Sequence, residues 1–213
     1  KGPGKAVGPY FDETPLKDSL GATLQELQLD GDVNARLHLD IPLNGELVTA
    51  KGEVTLRNNS LFIKPLASTL KNLSGKFSFI NGDLQSEPLT ASWFNQPLNV
   101  DFSTKEGAKA YQVAVNLNGN WQPAKTGVLP EAVNEALSGS VAWDGKVGID
   151  LPYHAGATYN VELNGDLKNV SSHLPSPLAK PAGEPLAVNV KVDGNLNSFD
   201  LTGQAGADNH FNS

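Results

Sequence analysis

Large apolar and polar residues alternate along most of this chain. Leu37, Leu39, Ile41 and Leu43 take turns with Arg36, His38, Asp40 and Pro42; Tyr111, Val113, Val115 and Leu117 do so with Gln112, Ala114 and Asn116. A period of two marks a strand with one apolar and one wet face. Antiparallel sheets accept that arrangement, whereas buried parallel strands read as unbroken apolar runs. The pattern predicts strands over 33–42, 49–57, 60–65, 69–80, 83–87, 89–94, 97–104, 110–121, 138–143, 146–151, 157–167, 186–196 and 198–206. Turn signals such as Asn58-Asn59, Asn81-Gly82-Asp83 and Asn95-Gln96-Pro97 separate them. Strand, turn and strand in series make a meander.

Two stretches depart from the period of two. Thr14-Pro15-Leu16 resembles a helix start, with Leu20, Leu24 and Leu27 at helical spacing, and Leu129 to Leu137 reads as a short helix with a proline and an acid in its first turn. Prolines 175, 177, 181 and 185 predict a strand-free loop over 171–185. Residues 1–213 thus read as one continuous segment of a longer repeat. Its parts are an irregular or short-helix leader (1–28), a first set of β repeats (29–121), a helical insertion (122–137) and further repeats (138–213).

A five-residue phrase, apolar-x-Gly-x-apolar, recurs along the chain. Copies centre on Gly31, Gly75, Gly119, Gly139, Gly165 and Gly194, among others; Gly31, Gly75, Gly119 and Gly165 lie 44, 44 and 46 residues apart. Self-similarity at that period indicates supersecondary units stacked along one axis. Within a strand the glycine marks a bulge, a bend or a close approach of another group.

About thirteen strands at ~4.8 Å each would form a sheet roughly 60 Å long. A sheet of that size must cover its apolar face. A second sheet packed on it, closure into a barrel, or a trough that keeps the face for a ligand would each do so. Aromatic residues are only 7% of the chain and helices are scarce, which favours the trough over a self-filled sandwich. The expected fold is therefore all-β: an elongated, curved antiparallel sheet forming a groove, with one or two short helices.

Composition removes several functions. The net charge of −7 argues against nucleic acid and against anionic membrane surfaces, both of which need a basic patch. Cysteine is absent, so neither disulfides nor thiolate chemistry are available. Methionine is absent as well, which implies an internal or processed piece; no signal peptide and no bilayer-spanning apolar run is visible. His38, His154, His173 and His210 stand far apart, no metal-ligand spacing or G-x-S-x-G elbow occurs, and carboxylates such as Asp30, Asp83 and Asp166 fall singly. The chain reads as a non-enzyme without metal or cofactor. Asn58, Asn72 and Asn169 satisfy the N-glycosylation pattern, which arises readily in an Asn- and Ser-rich chain. Trp93, Trp121 and Trp143 fall within apolar alternations and read as core or lining.

The run Lys51-Gly52-Glu53-Val54-Thr55-Leu56-Arg57-Asn58-Asn59-Ser60-Leu61, then Leu73-Ser74-Gly75-Lys76-Phe77 and Glu87-Pro88-Leu89-Thr90-Ala91, resembles the AsmA-like proteins of Gram-negative envelopes. The clear resemblance covers about a quarter of the chain. It implies a bridge-type lipid carrier: an inner-membrane anchor followed by a long periplasmic β-groove that moves phospholipid toward the outer membrane. This chain would be an interior length of that groove, with the membranes engaged by other parts of the protein. Acyl chains would lie on Leu37, Leu39, Ile41, Val54, Leu56, Phe77, Phe79, Val100, Phe102, Val113, Val115 and Leu117. Two rivals are a structural β-repeat filled by its own side chains and a TamB-like assembly factor that binds outer-membrane strands at a free sheet edge.

Overall fold

A computed structural model describes residues 2–3, 27–42, 44, 48–63, 67–176, 179–195, 197–206 and 209–212. The apolar position Leu43 and the helix expected from Thr14 lie outside the described residues, except for Leu27, the last of its spaced leucines, which is in a strand.

The strands are β1 (Gly2–Pro3), β2 (Leu27–Asp30), β3 (Asp32–Asp40), β4 (Thr49–Ile63), β5 (Ser68–Ile80), β6 (Asp83–Ser86), β7 (Leu89–Trp93), β8 (Gln96–Glu106) and β9 (Ala110–Trp121). A short helix α1 (Glu131–Ala136) follows, then β10 (Leu137–Gly139), β11 (Val141–Pro152), β12 (Thr158–Asp166), β13 (Val170–Ser172), β14 (Ala187–Asn195), β15 (Phe199–Ala205) and β16 (Asn209–Asn212). Fourteen strands form one curved antiparallel meander, in the order β1-β3-β4-β5-β6-β8-β9-β11-β12-β14-β15-β16. β2 extends β3 along β4, and β7 lies between β5 and β8.

Strand pairing converts the period of two into two chemically distinct faces, because directly paired residues point the same way. Val33 pairs with Leu56 and Leu56 with Gly75. Val100 pairs with Leu117, Leu117 with Gly145, Gly145 with Leu163 and Leu163 with Val190. The opposite face carries rows such as Asn99, Asn118, Asp144, Asn164, Asn189 and Gln204, each paired with the next. Asn99 donates to Asn118 (2.9 Å), Asn164 to Asp144 (3.1 Å) and Asn189 to Asn164 (2.6 Å), so amide ladders tie neighbouring strands together on the wet side. Lys76–Glu53 (3.3 Å) and Lys191–Glu162 (3.6 Å) add ion pairs there.

The main cluster of buried apolar residues lies in the first part of the sheet, with Tyr111 on β9 and Val170 on β13 buried apart from it. Val33, Leu56, Leu70, Leu73, Leu89, Ala91, Leu98 and Val100 form the cluster, around the register shifts between β4 and β5. The turn signal Asn58-Asn59 falls at these shifts, but the chain does not reverse there: β4 continues through with a bulge. Asn58 and Asn72 adopt the left-handed conformation (φ 54° and 55°) on the two facing strands, and Asn58 N donates to Ser74 Oγ (2.9 Å). Asn59, fully buried, bridges the kink by donating Nδ2 to the Asp30 and Asp32 carbonyls (3.1 and 3.2 Å) and accepting from Arg57 N (2.8 Å).

Three further expectations change in detail. The strands expected at 138–143 and 146–151 fall in β10 and one long β11, which passes through Gly145 without turning. The helix is shorter than expected, because Pro130 caps its start and Leu137 already enters β10. The proline-rich segment is not strand-free: β13 pairs with β10, and Ser172 bridges to Lys180. Lys180 Nζ donates to the carbonyls of Leu167, Val170 and Pro181, anchoring this excursion from within.

Candidate functional site

The site is the apolar face itself. Eleven of the twelve expected lining residues lie in strands, and the registers put all eleven on one side of the sheet. Leu37 and Leu39 pair with Gly52 and Ala50, Val54 with Phe77, and Gly52 with Phe79. Phe102 pairs with Val115 and Thr104 with Val113, while Val100 and Leu56 share the rows already described. Ile41 follows the end of β3 and is 60% exposed.

These residues differ in accessibility. Leu56 and Val100 belong to the buried core; Val54, Phe77, Phe79, Phe102, Val113, Val115 and Leu117 are half-buried; Leu37 and Leu39 are about half exposed at one edge. The face then continues beyond β9 through residues absent from the sequence-based set. Val147, Ile149 and Leu151 on β11, Tyr159, Val161 and Leu163 on β12, Val188, Val190 and Val192 on β14, and Leu201 on β15 are all half-buried. Their own alternation carried the same signal as that of β9. Among the described residues, the two-stranded β10–β13 sheet does not pair with any strand of this half.

Glycines of the repeated phrase make room for large neighbours. A Cβ on Gly119 would lie 2.7 Å from Trp121 Nε1, and one on Gly194 would lie 2.7 Å from the Tyr159 hydroxyl. At Gly31, Gly75 and Gly139 the backbone is instead left-handed or otherwise at positive φ (99°, 137° and 94°), and the strand kinks or ends. One phrase therefore serves two purposes, kinks and pads for aromatic rings.

Aromatic side chains mark one rim. Trp93, Phe94, Trp121 and Trp143 stack with ring centroids 4.7–6.3 Å apart. Trp93 Nε1 donates to Ser68 Oγ (2.7 Å) and Trp121 Nε1 to the Pro97 carbonyl (2.6 Å). At the opposite strand ends Tyr111, with no exposed surface, donates to the Gly82 carbonyl (2.8 Å) and bonds Thr104 Oγ1 (2.7 Å). Burial, reinforced by the nearby Asp83 and Glu106 carboxylates and opposed by the Thr104 bond, pushes the phenol up to about 12. Burial alone would raise Asp83, but the Glu106 N–H and the Lys105 ammonium outweigh it and hold this carboxyl below its ordinary value. These contacts tie the β5–β6 turn to β8 and β9.

No constellation for bond-making chemistry accompanies this face. His38, His154 and His173 are exposed and well separated in sequence, the side chain of His210 lies outside the described residues, and no three potential metal ligands converge among the described residues. A concavity of about 330 Å³ is lined by Asp150, Asn160, Asp193 and Asp200 together with Tyr159 and Gly194. It is open and mostly polar, and touches the apolar face only at Tyr159 and Gly194. No described helix is long and apolar enough to cross a membrane.

An open antiparallel meander with one continuous apolar side defines a β-groove rather than a pocketed globule. The family model described as YhdP protein matches residues 1–213, and the chain belongs to that family. It is 98% identical over its whole length to the intermembrane phospholipid transporter YhdP of Escherichia coli (strain K12), and spans 17% of that relative. No solved structure matches it.

Proposed function

We propose that this chain is one continuous length of a lipid-conducting groove, in which phospholipid acyl chains lie on the apolar face while head groups stay in water. The observation that carries this reading is the apolar face from β9 to β15, whose large side chains remain partly accessible in a single sheet. The name of the 98% identical relative supplies the cargo class.

The energetics suit the role. Two acyl chains of a phospholipid exposed to water forfeit on the order of 20 kcal/mol at ~0.8 kcal/mol per methylene, so passage across an aqueous gap requires continuous apolar cover. Leu37, Leu39, Ile41, Val54, Leu56, Phe77, Phe79, Val100, Phe102, Val113, Val115 and Leu117 begin that cover and the β11–β15 residues extend it. Aliphatic lining of similar character at each strand binds the chain with similar strength at each step, which permits sliding. The segment works in the periplasm, and the rest of the protein supplies contact with the inner and outer membranes. Its role is carriage, without catalysis or cofactor.

Native mass spectrometry with lipid extraction, on protein purified without detergent, tests this. Co-purifying phospholipid at defined stoichiometry is expected. An apo mass that persists after incubation with phospholipid vesicles would contradict it.

A further inference from the structure

The apolar face is not uniform across its width. Val115, Val147, Val161, Val192 and Leu201 pair in direct succession on β9, β11, β12, β14 and β15, forming a row at right angles to the strands. All five are half-buried, and the row contains neither glycine nor a polar residue. Four of the five are valine, whose side chain ends one bond beyond Cβ.

Longer side chains stand among the residues of both bordering rows. One row reads Leu117, Gly145, Leu163, Val190 and Gly203, and Leu163 closes over Gly145 so tightly that a Cβ there would lie 2.6 Å from its Cδ2. The other holds Val113, Ile149, Tyr159, Gly194 and Phe199, with the Tyr159 ring across Gly194. Rows on one face are separated by two residues, about 6.7 Å. Where Leu117 and Leu163 border it on one side and Ile149, Tyr159 and Phe199 on the other, the valine row lies as a furrow between rows roughly 13 Å apart.

We infer that this valine row is the floor of the acyl-chain track, and that cargo does not spread over the full width of the apolar face. The inference rests on the lipid-conduit reading above. Its length fits: four strand spacings are about 19 Å, and one acyl leaflet of a bilayer is about 15 Å thick. One acyl chain laid across the strands covers the row from β9 to β15. On the β8 side the row continues to Phe102, whose ring lies 5.7 Å from that of Phe77, itself paired with Val54. Between the two rings Ser86 is buried and satisfied, its Oγ accepting from Phe102 N (2.7 Å), so the track crosses β6 without an unpaired polar group. The floor therefore changes from aliphatic to aromatic at one defined place.

Photo-crosslinking in the intact protein, in its own membranes, tests the track. A diazirine side chain of about leucine's size is placed in turn at Val147, Val161, Trp143, Leu151 and Lys146, and lipid adducts are measured by mass spectrometry. Trp143 and Leu151 lie two rows from the track on either side, and Lys146 is on the wet face. Adducts several-fold stronger at Val147 and Val161 than at the other three positions are expected. Equal adducts at Trp143 and Leu151, or at Lys146, would overturn the track while leaving lipid in contact with the sheet. No adduct at any apolar-face position would overturn both the track and the conduit.

Discussion

The phenol of Tyr159 lies across Gly194, the residue it pairs with on the next strand, leaving no space for a β-carbon. The backbone of Gly194 is not in the positive-φ region that favours glycine. Space alone therefore demands glycine here, and the ring covers the strand where the side chain is missing. Gly194→Val is expected to cost about 1–3 kcal/mol through overpacking. Chemical denaturation measures the loss, and adding Tyr159→Ala should recover part of it.

Asn59 has the opposite character, a buried polar side chain that uses three hydrogen bonds to hold a bulge. Removing it leaves the Arg57 N–H and the Asp30 and Asp32 carbonyls to find other partners. Asn59→Ala is expected to lower stability by about 2–3 kcal/mol. Loss of less than half a kcal/mol in equilibrium unfolding would show that the kink holds without it.

Tyr111 gives the sheet an alkaline limit. Its phenol ionises near 10.0 when exposed and is pushed up to about 12 in the folded chain. Between these values the unfolded chain has released the proton and the folded one still holds it, so stability falls as pH rises from 10 to about 12 and then levels off. Tyr111→Phe should flatten that part of the curve of unfolding free energy against pH, while lowering stability at neutral pH by about 1 kcal/mol for the lost bonds.

The ion pair Lys191–Glu162 lies on the wet face with both partners about half exposed. Lys191→Ala is expected to change stability by no more than about 0.5 kcal/mol. A thermal melt showing a larger loss would mean that the outer ladders bear more of the load than the apolar side.

Much of this architecture is legible in the chain because a period of two admits only two faces. Val54, Phe77, Phe102 and Val115 could be grouped before any pairing was known, since each stands between polar or small neighbours. What local sequence does not decide is whether an Asn or Gly interrupts a strand or reverses it. Asn58 takes the same left-handed conformation in a bulge as in a turn, and only the distant partners of Asn59, the carbonyls of Asp30 and Asp32, hold the strand straight. Gly145 likewise sits beneath Leu163 in an unbroken strand. The pairing of β10 with β13 rests on three residues in each, too few for a periodic signal. Val147, Val161 and Val192 alternate as clearly as β9 does, and extending the same reasoning past the helix finds them.

A charge placed on the groove floor tests the conduit most directly. In the full-length protein, Val115→Arg and Phe77→Arg put a guanidinium on the proposed acyl-chain path, at positions accessible enough for the sheet to remain folded. Phospholipid transfer between membranes is then measured alongside protein abundance and protease resistance. Transfer reduced at least tenfold with a folded, abundant protein is the expected result, with Ala114→Arg on the wet face leaving it unchanged. Undiminished transfer in both groove variants would contradict the account.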